Sequence, residues 1–96
     1  MSVTVNVPAS LQQFSNGDRR IHLECEESAT LRDVFGQLHG IAPGVIERAL
    51  DEQGQIRPHV NVFLDERSIR AGSRLGLETP VAPGAQVWIL PAVSGG

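Results

Sequence analysis

The sequence contains no lysine and only one cysteine, and it has no long hydrophobic run. Without lysine side chains, copies of the chain cannot be joined to one another through lysine-linked isopeptide bonds. The single Cys25 cannot form an internal disulfide, which is typical of proteins in the reducing cytoplasm. No apolar run approaches the roughly 20 residues of a membrane helix, and residues 1–6 lack the basic and apolar regions of a secretion signal. We therefore expect a cytoplasmic protein with no membrane partner.

Aromatic side chains make up only 4% of the chain, so the core has to be built mainly from Val, Ile, Leu and Ala. The hydrophobic fraction of 41% is nevertheless ordinary for a folded domain, and 96 residues suffice for one domain with a single modest core. The formal net charge of -3 lacks the basic excess typical of proteins that bind nucleic acid. We expect one folded domain without a nucleic-acid partner.

The sequence also lacks the motifs of the common enzyme classes. It has no phosphate-binding loop, no dinucleotide-binding glycine pattern and no arrangement typical of a catalytic triad. His22, His39 and His59 do not show the spacing of metal ligands, so we expect them at the surface or at strand edges. The sequence therefore predicts neither a catalytic residue nor a metal site.

Cys25 carries the one thiol of the sequence and is a candidate reactive residue. A reactive cysteine needs an electropositive neighbourhood, whereas Glu24 and Glu26 flank this one. The alternation with Ile21 and Leu23 instead favours a small residue on the buried face of a strand.

Two segments near the N-terminus alternate between apolar and polar residues. Residues 3–7 and residues 20–25 both show this pattern, which is typical of strands with one buried face. The Asn16-Gly17 pair between them suits a turn with positive φ. The three features together predict a β-hairpin.

A helix is predicted after the hairpin. Apolar residues recur at helical spacing over residues 31–38, with Thr30 in position to cap the N-terminus. Gly40 is expected to end this helix, and Pro43 is expected to prevent its simple continuation. Residues 45–50 repeat the helical spacing over a shorter stretch and predict a second, short helix.

The pattern returns to strands in the second half of the chain. Residues 59–64 alternate, Asp65-Glu66 suits a tight turn, and a short strand is expected around Ile69. Leu75 and Leu77 follow in an irregular stretch, from which we expect both side chains to enter the core.

The last strand, residues 86–90, is apolar on both faces and follows a predicted Pro83-Gly84 turn. Strands of this kind usually lie in the centre of a sheet, so this strand is expected beside the first one and parallel to it. The predicted fold class is α+β, with the β-grasp (ubiquitin-like) arrangement. It combines a mixed sheet of four to five strands with one main helix and a short second helix.

The end of the chain, Trp88-Ile89-Leu90-Pro91-Ala92-Val93-Ser94-Gly95-Gly96, is similar to the closing pattern of the MoaD/ThiS family of ubiquitin-like sulfur carriers. Val60-Asn61-Val62, with Ile69-Arg70 further on, resembles the branch of that family that serves cysteine biosynthesis. Two features depart from the family pattern. Pro83-Gly84-Ala85 replaces a frequent Asp-Gly-Asp turn, and residues 92–94 lack the arginines that precede Gly-Gly in ubiquitin-type modifiers.

This resemblance implies that the C-terminal Gly96 is the working site. An E1-like activating enzyme would adenylate its carboxylate with ATP and convert it to a thiocarboxylate, which would donate sulfur to a sulfur-accepting synthase. Residues 1–91 would form the β-grasp domain and residues 92–96 a flexible tail. The chain itself would be a monomeric carrier, not an enzyme, with no bound cofactor.

The tail residues fit passage through a narrow enzyme channel. Pro91 ends the last strand, Ala92, Val93 and Ser94 are uncharged and at most medium-sized, and Gly95 adds no Cβ. Three other functions remain open: the small subunit of molybdopterin synthase, a ubiquitin-like protein modifier, and an interaction domain whose tail has no chemical role.

A partner surface is predicted on the open face of the sheet. We expect Val87 and Ile89 to point into the core, and Phe63, Trp88 and Leu90 to point outwards. Exposed aromatic side chains commonly mark a protein interface. The alternative is that Trp88 is a half-buried core residue.

Overall fold

The computed structural model describes residues 1–70 and 73–91, and it places them in a five-stranded mixed sheet with two α-helices on one face. The strands are β1 (Ser2–Asn6), β2 (Arg20–Glu24), β3 (Val60–Leu64), β4 (Arg67–Ile69) and β5 (Gln86–Pro91). The helices are α1 (Leu31–Ile41) and α2 (Pro43–Ala49), and short 3₁₀ helices cover Ala9–Phe14 and Gly76–Glu78. The order of the strands across the sheet is β2-β1-β5-β3-β4. The predicted β-grasp arrangement is confirmed.

Strand β5 is the central strand, and it runs parallel to β1 as predicted. Its inward side chains, Val87 and Ile89, are completely buried. Val87 lies opposite Val5 of β1, and Ile89 lies opposite Val62 of β3. The core therefore forms between one face of the sheet and the helices.

Helix α1 packs on the sheet through the predicted apolar stripe. Its N-terminus is capped where the Thr30 backbone N–H donates to the Asp33 carboxylate at 2.9 Å. The prediction that Gly40 ends the helix is wrong, because α1 continues to Ile41. The predicted break at Pro43 is confirmed, because this proline disfavours helical geometry at the residue before it and occupies the first position of α2. The stripe on α1 comprises Leu31, Val34, Phe35 and Leu38, all buried.

The connection between β1 and β2 contains a short helix in addition to the predicted Asn16-Gly17 turn. The two strands pair in antiparallel fashion, and Asn16 and Gly17 adopt the predicted positive φ angles of 56° and 84°. Residues 9–14, however, form a 3₁₀ helix that was not predicted. Its Phe14 packs so closely on α2 that a Cβ added at Gly44 would lie 2.8 Å from the Phe14 ring.

The segment between β4 and β5 departs from the prediction at one residue. Leu77 is buried as expected, but Leu75 is 52% exposed, so its predicted core position is wrong. Only Leu77 falls within the 3₁₀ helix Gly76–Glu78 that packs beside α1. Strand β3 begins at Val60, one residue later than predicted.

The two predicted tight turns are present, and one of them anchors the start of β5. Asp65 adopts a φ of 55° between β3 and β4, and its carboxylate accepts a hydrogen bond from the Gln86 backbone at 2.9 Å. In the other turn, Gly84 has a φ of 77° and the Ala85 N–H donates to the Ala82 carbonyl. Gly84 with Pro83 before it is typical of a type II turn. Both turns fix where the central strand begins.

No helix within residues 1–70 and 73–91 is both long and apolar enough to cross a membrane.

Candidate functional site

The predicted tail begins where β5 leaves the middle of the sheet. Pro91 is half-buried and pairs with Val60 at the start of β3. Residues 92–96, which include the predicted site Gly96, lie outside the described residues. The structure therefore describes the chain as far as Pro91, the last residue of β5.

The exposed face of the sheet beside this point carries an apolar patch of Phe63, Trp88 and Leu90. Trp88 is 42% exposed and Leu90 is 38% exposed, while Phe63 is half-buried. Phe63 lies directly opposite Trp88 in the antiparallel pair of β3 and β5. The predicted orientation of all three side chains is confirmed, and Trp88 is a surface residue. Its binding to a partner stays a prediction.

Asn6 provides a buried polar floor next to this apolar patch. Its Nδ2 donates to Gln86 Oε1 at 3.0 Å and to the Val87 carbonyl at 3.2 Å. Asn6 is 6% exposed, although it points to the open face of the sheet. It lies opposite Trp88 on one side and Arg20 on the other. These bonds hold β1 and β5 in a fixed relation beneath the patch.

A groove of about 200 Å³ runs over Asn6 between the patch and the start of β2. The sequence did not reveal it, because its walls come from three strands whose relative register is set only by the folded sheet. Its lining includes Asn6, Pro8, Arg19, Arg20, Trp88 and Leu90. The apolar wall of the groove thus faces two guanidinium groups.

Cys25 lies at the end of the sheet opposite Pro91, since β2 is antiparallel to β1 and β1 is parallel to β5. It is 7% exposed and lies on the buried face as predicted. Burial raises the pKa of the Cys25 thiol. The N-terminal ammonium group lowers this pKa, whereas the carboxylates of Glu24 and Asp33 raise it further. A buried thiol with a raised pKa is a weak nucleophile at neutral pH.

The three histidines are exposed, and among residues 1–70 and 73–91 no three His, Cys, Asp or Glu side chains come together as a metal-binding group. His22 Nδ1 lies 3.0 Å from the Thr4 hydroxyl, across the pair of β1 and β2. This contact gives His22 a structural partner within the sheet.

Comparison with known proteins assigns this architecture to a family. Residues 5–96 match the ThiS family. The chain belongs to that family. It is also 33% identical to the sulfur carrier protein CysO of Mycobacterium tuberculosis over 98 residues, with all of both chains covered.

Solved structures of similar chains support the same assignment. The Amycolatopsis orientalis BexX/CysO complex contains a chain with a TM-score of 0.81 and 30% identity, covering 98% of this chain and 99% of that one. The crystal structure of SAMP1 from Haloferax volcanii has a TM-score of 0.81 and 26% identity, with both chains fully covered. The ThiS-family chain therefore shares the ubiquitin-like fold of the sulfur carrier CysO and of SAMP1.

Proposed function

We propose that this ThiS-family chain carries sulfur on the C-terminal carbonyl of Gly96, after an E1-like enzyme has activated that carboxylate with ATP. The observation that supports this most strongly is the Gly95-Gly96 ending on a central strand that stops at Pro91. In this proposal the chain binds no cofactor, and ATP is a substrate of the activating enzyme.

The chemistry requires activation because a free C-terminal carboxyl group, with a pKa of about 3.3–3.7, is ionised at neutral pH and is a poor electrophile. A carboxylate oxygen attacks the α-phosphorus of ATP and pyrophosphate leaves, which gives an acyl-adenylate. Hydrosulfide then attacks the acyl carbon and AMP leaves with the former carboxylate oxygen. The product is a thiocarboxylate, whose sulfur is a good nucleophile.

The division between domain and tail follows from what each part can supply. The buried core includes β5 up to Ile89, and among residues 1–70 and 73–91 no three His, Cys, Asp or Glu side chains form a group that could hold a metal ion. Beyond Pro91, Gly95 and Gly96 have no Cβ, so they fit a narrow channel that keeps water from the adenylate. The domain would orient the tail while the partner enzymes supply the chemistry.

The patch of Phe63, Trp88 and Leu90 is the proposed docking surface for the activating enzyme. It adjoins the start of the tail, because Leu90 directly precedes Pro91. Docking there would hold the domain while the tail enters the active site.

The sulfur acceptor is proposed from the relatives. The full-length similarity to CysO, a sulfur carrier protein, favours a synthase that makes cysteine as the acceptor. The alternative is a synthase that makes another sulfur-containing metabolite. The chemistry at Gly96 is identical in both cases.

Intact-mass analysis tests the central step. The full-length chain is incubated with the adenylating enzyme of its own genome, ATP and sulfide. Its mass should rise by the difference between one sulfur atom and one oxygen atom, and fragmentation should place the change at Gly96. The Cys25→Ala variant should gain the same mass. Sulfur found on Cys25 as a persulfide would contradict the proposal.

A second candidate function, protein modification, is favoured by the similarity to SAMP1. The same adenylate would then pass Gly96 to an amine of another protein. Because the chain has no lysine, such a modifier could not build lysine-linked chains of itself. Adducts of defined mass on lysine-containing proteins, formed in place of the thiocarboxylate, would favour this candidate.

A further inference from the structure

The groove beside the apolar patch is lined by basic as well as apolar side chains. Arg19 and Arg20 form one side of it, and Trp88 and Leu90 lie on the other. Among residues 1–70 and 73–91, neither of these arginines forms an ion pair with an acidic side chain. Two guanidinium groups are therefore available next to exposed apolar surface.

Acidic side chains on β2 and just after it lie at the other end of the strand. Glu24 is at the end of β2, and Glu26 follows it. Arg20 is at the start of β2, on the side where β5 ends, because β2 runs antiparallel to both β1 and β5. The end of this face where β5 ends thus carries Arg19 and Arg20, with the exposed Asp18 directly before them in the chain, although the whole chain carries a net charge of -3.

The floor and walls of the groove are held by the fold. Asn6 is fixed by its two hydrogen bonds to β5, and Trp88 lies between Asn6 and Phe63 in the register of the sheet. A preformed groove costs little ordering on binding, which favours a specific occupant.

We propose that this groove takes a segment of the activating enzyme in which an apolar side chain is flanked by carboxylates. The apolar side chain covers Trp88 and Leu90, and the carboxylates accept hydrogen bonds from Arg19 and Arg20. Guanidinium groups suit carboxylates because both are planar and can pair through two parallel bonds. The inference rests on the proposed function, since it assigns the partner of the same surface.

Binding measurements with matched charge variants test it. The full-length chain and the adenylating enzyme identified by the mass assay are titrated at low salt and at about 0.3 M salt, where the screening length is shorter. Removing both charges in Arg19→Gln/Arg20→Gln should weaken binding about tenfold at low salt and flatten the salt dependence. The control Arg67→Gln/Arg74→Gln removes two exposed arginines that do not line the groove, and it should change affinity less than about twofold.

Wild-type affinity and salt dependence in the Arg19/Arg20 variant would overturn the inference while leaving the proposed function intact. A wild-type dimer that this variant dissociates, seen by sedimentation, would assign the groove to a second copy of the chain and also overturn it. If no adenylating enzyme activates the wild-type chain, the proposed function fails and the inference fails with it. Circular dichroism melts of all variants confirm that only surface charge has changed.

Discussion

Phe63 and Trp88 lie opposite each other across β3 and β5, with both side chains on the exposed face of the sheet. Aromatic neighbours in this arrangement stabilise a sheet by about 0.2–1 kcal/mol. That stabilisation does not explain why the indole of Trp88 is left partly exposed to water. We propose that a partner covers the apolar area that they present together. This pair therefore gives a direct test of the docking surface.

Trp88→Ala should weaken binding to the activating enzyme by about 2 kcal/mol, as expected for a buried aromatic anchor of an interface. Phe63→Ala should act in the same direction, because it removes the neighbour of the indole. The measurement is calorimetric titration of each variant with the enzyme. Leu75→Ala is the control, since Leu75 is 52% exposed and lines a different surface depression together with Arg32 of α1. Equal affinity of Trp88→Ala and wild type would remove the patch from the interface.

The contact between Gly44 and Phe14 predicts a stability effect far from the tail. A Cβ at residue 44 would lie 2.8 Å from the Phe14 ring, and Arg48 covers that ring with its guanidinium 3.6 Å from the centroid. Gly44→Ala should therefore lower the free energy of unfolding by about 1–3 kcal/mol, the usual cost of overpacking. Urea unfolding followed by circular dichroism measures this change.

Gly36→Ala is the matched control for that substitution. Gly36 lies within α1, and a Cβ there would have no neighbour within 4 Å. Alanine should stabilise the helix by about 0.5–1 kcal/mol. A stabilising effect at residue 44 would show that Phe14 can move without cost.

The burial of Cys25 predicts how its thiol responds to pH. Because burial raises its pKa, the folded chain favours the neutral thiol. The associated stability is present below the ordinary thiol pKa and is lost as the pH rises through the higher folded-state value. Iodoacetamide should label Cys25 more slowly in the folded chain than in urea. The pH at which the labelling rate reaches half of its maximum should be higher for the folded chain. Rapid labelling of the folded chain at neutral pH would contradict this.

The sequence predicted the parts of the fold that depend on periodicity. The apolar stripe of α1 and the double-sided pattern of β5 each required only the spacing of residues along one element. The 3₁₀ helix over Ala9–Phe14 escaped prediction, because a short helix of this type leaves no clear period. The predicted stop at Gly40 is wrong because glycine tolerates helical geometry, whereas the predicted break at Pro43 is confirmed.

The sequence predicted those parts of the candidate site that follow from the alternation along a single strand or that lie in the tail. The outward orientation of Trp88 and Leu90 followed from alternation along β5. Asn6, Arg20 and Trp88 are far apart in the sequence and become neighbours through the register of β2, β1 and β5. Pairing of this kind is set by the whole sheet, so the groove became visible only in the structure.

The last prediction separates stability from function by deleting Gly95-Gly96. The core is formed by residues up to Ile89, and the two glycines have no side chains to bury. The deletion should therefore change the free energy of unfolding by no more than about 0.5 kcal/mol, as measured by urea denaturation. It should abolish sulfur transfer, because the new terminal carboxylate belongs to Ser94 and lies two residues short of the required reach.

Gly96→Ala probes the same site without shortening the tail. It keeps the carboxylate in place and adds a Cβ where the activating enzyme is expected to be narrowest, so adenylation measured by pyrophosphate release should fall while the melting temperature stays unchanged. Ala92→Gly is the matched control, since it alters the tail without adding bulk next to the reacting carbonyl. Normal sulfur loading of the truncated chain would refute the carrier proposal. Loss of folding on truncation would instead mean that the tail packs on the domain, and the division of labour between the two would be wrong.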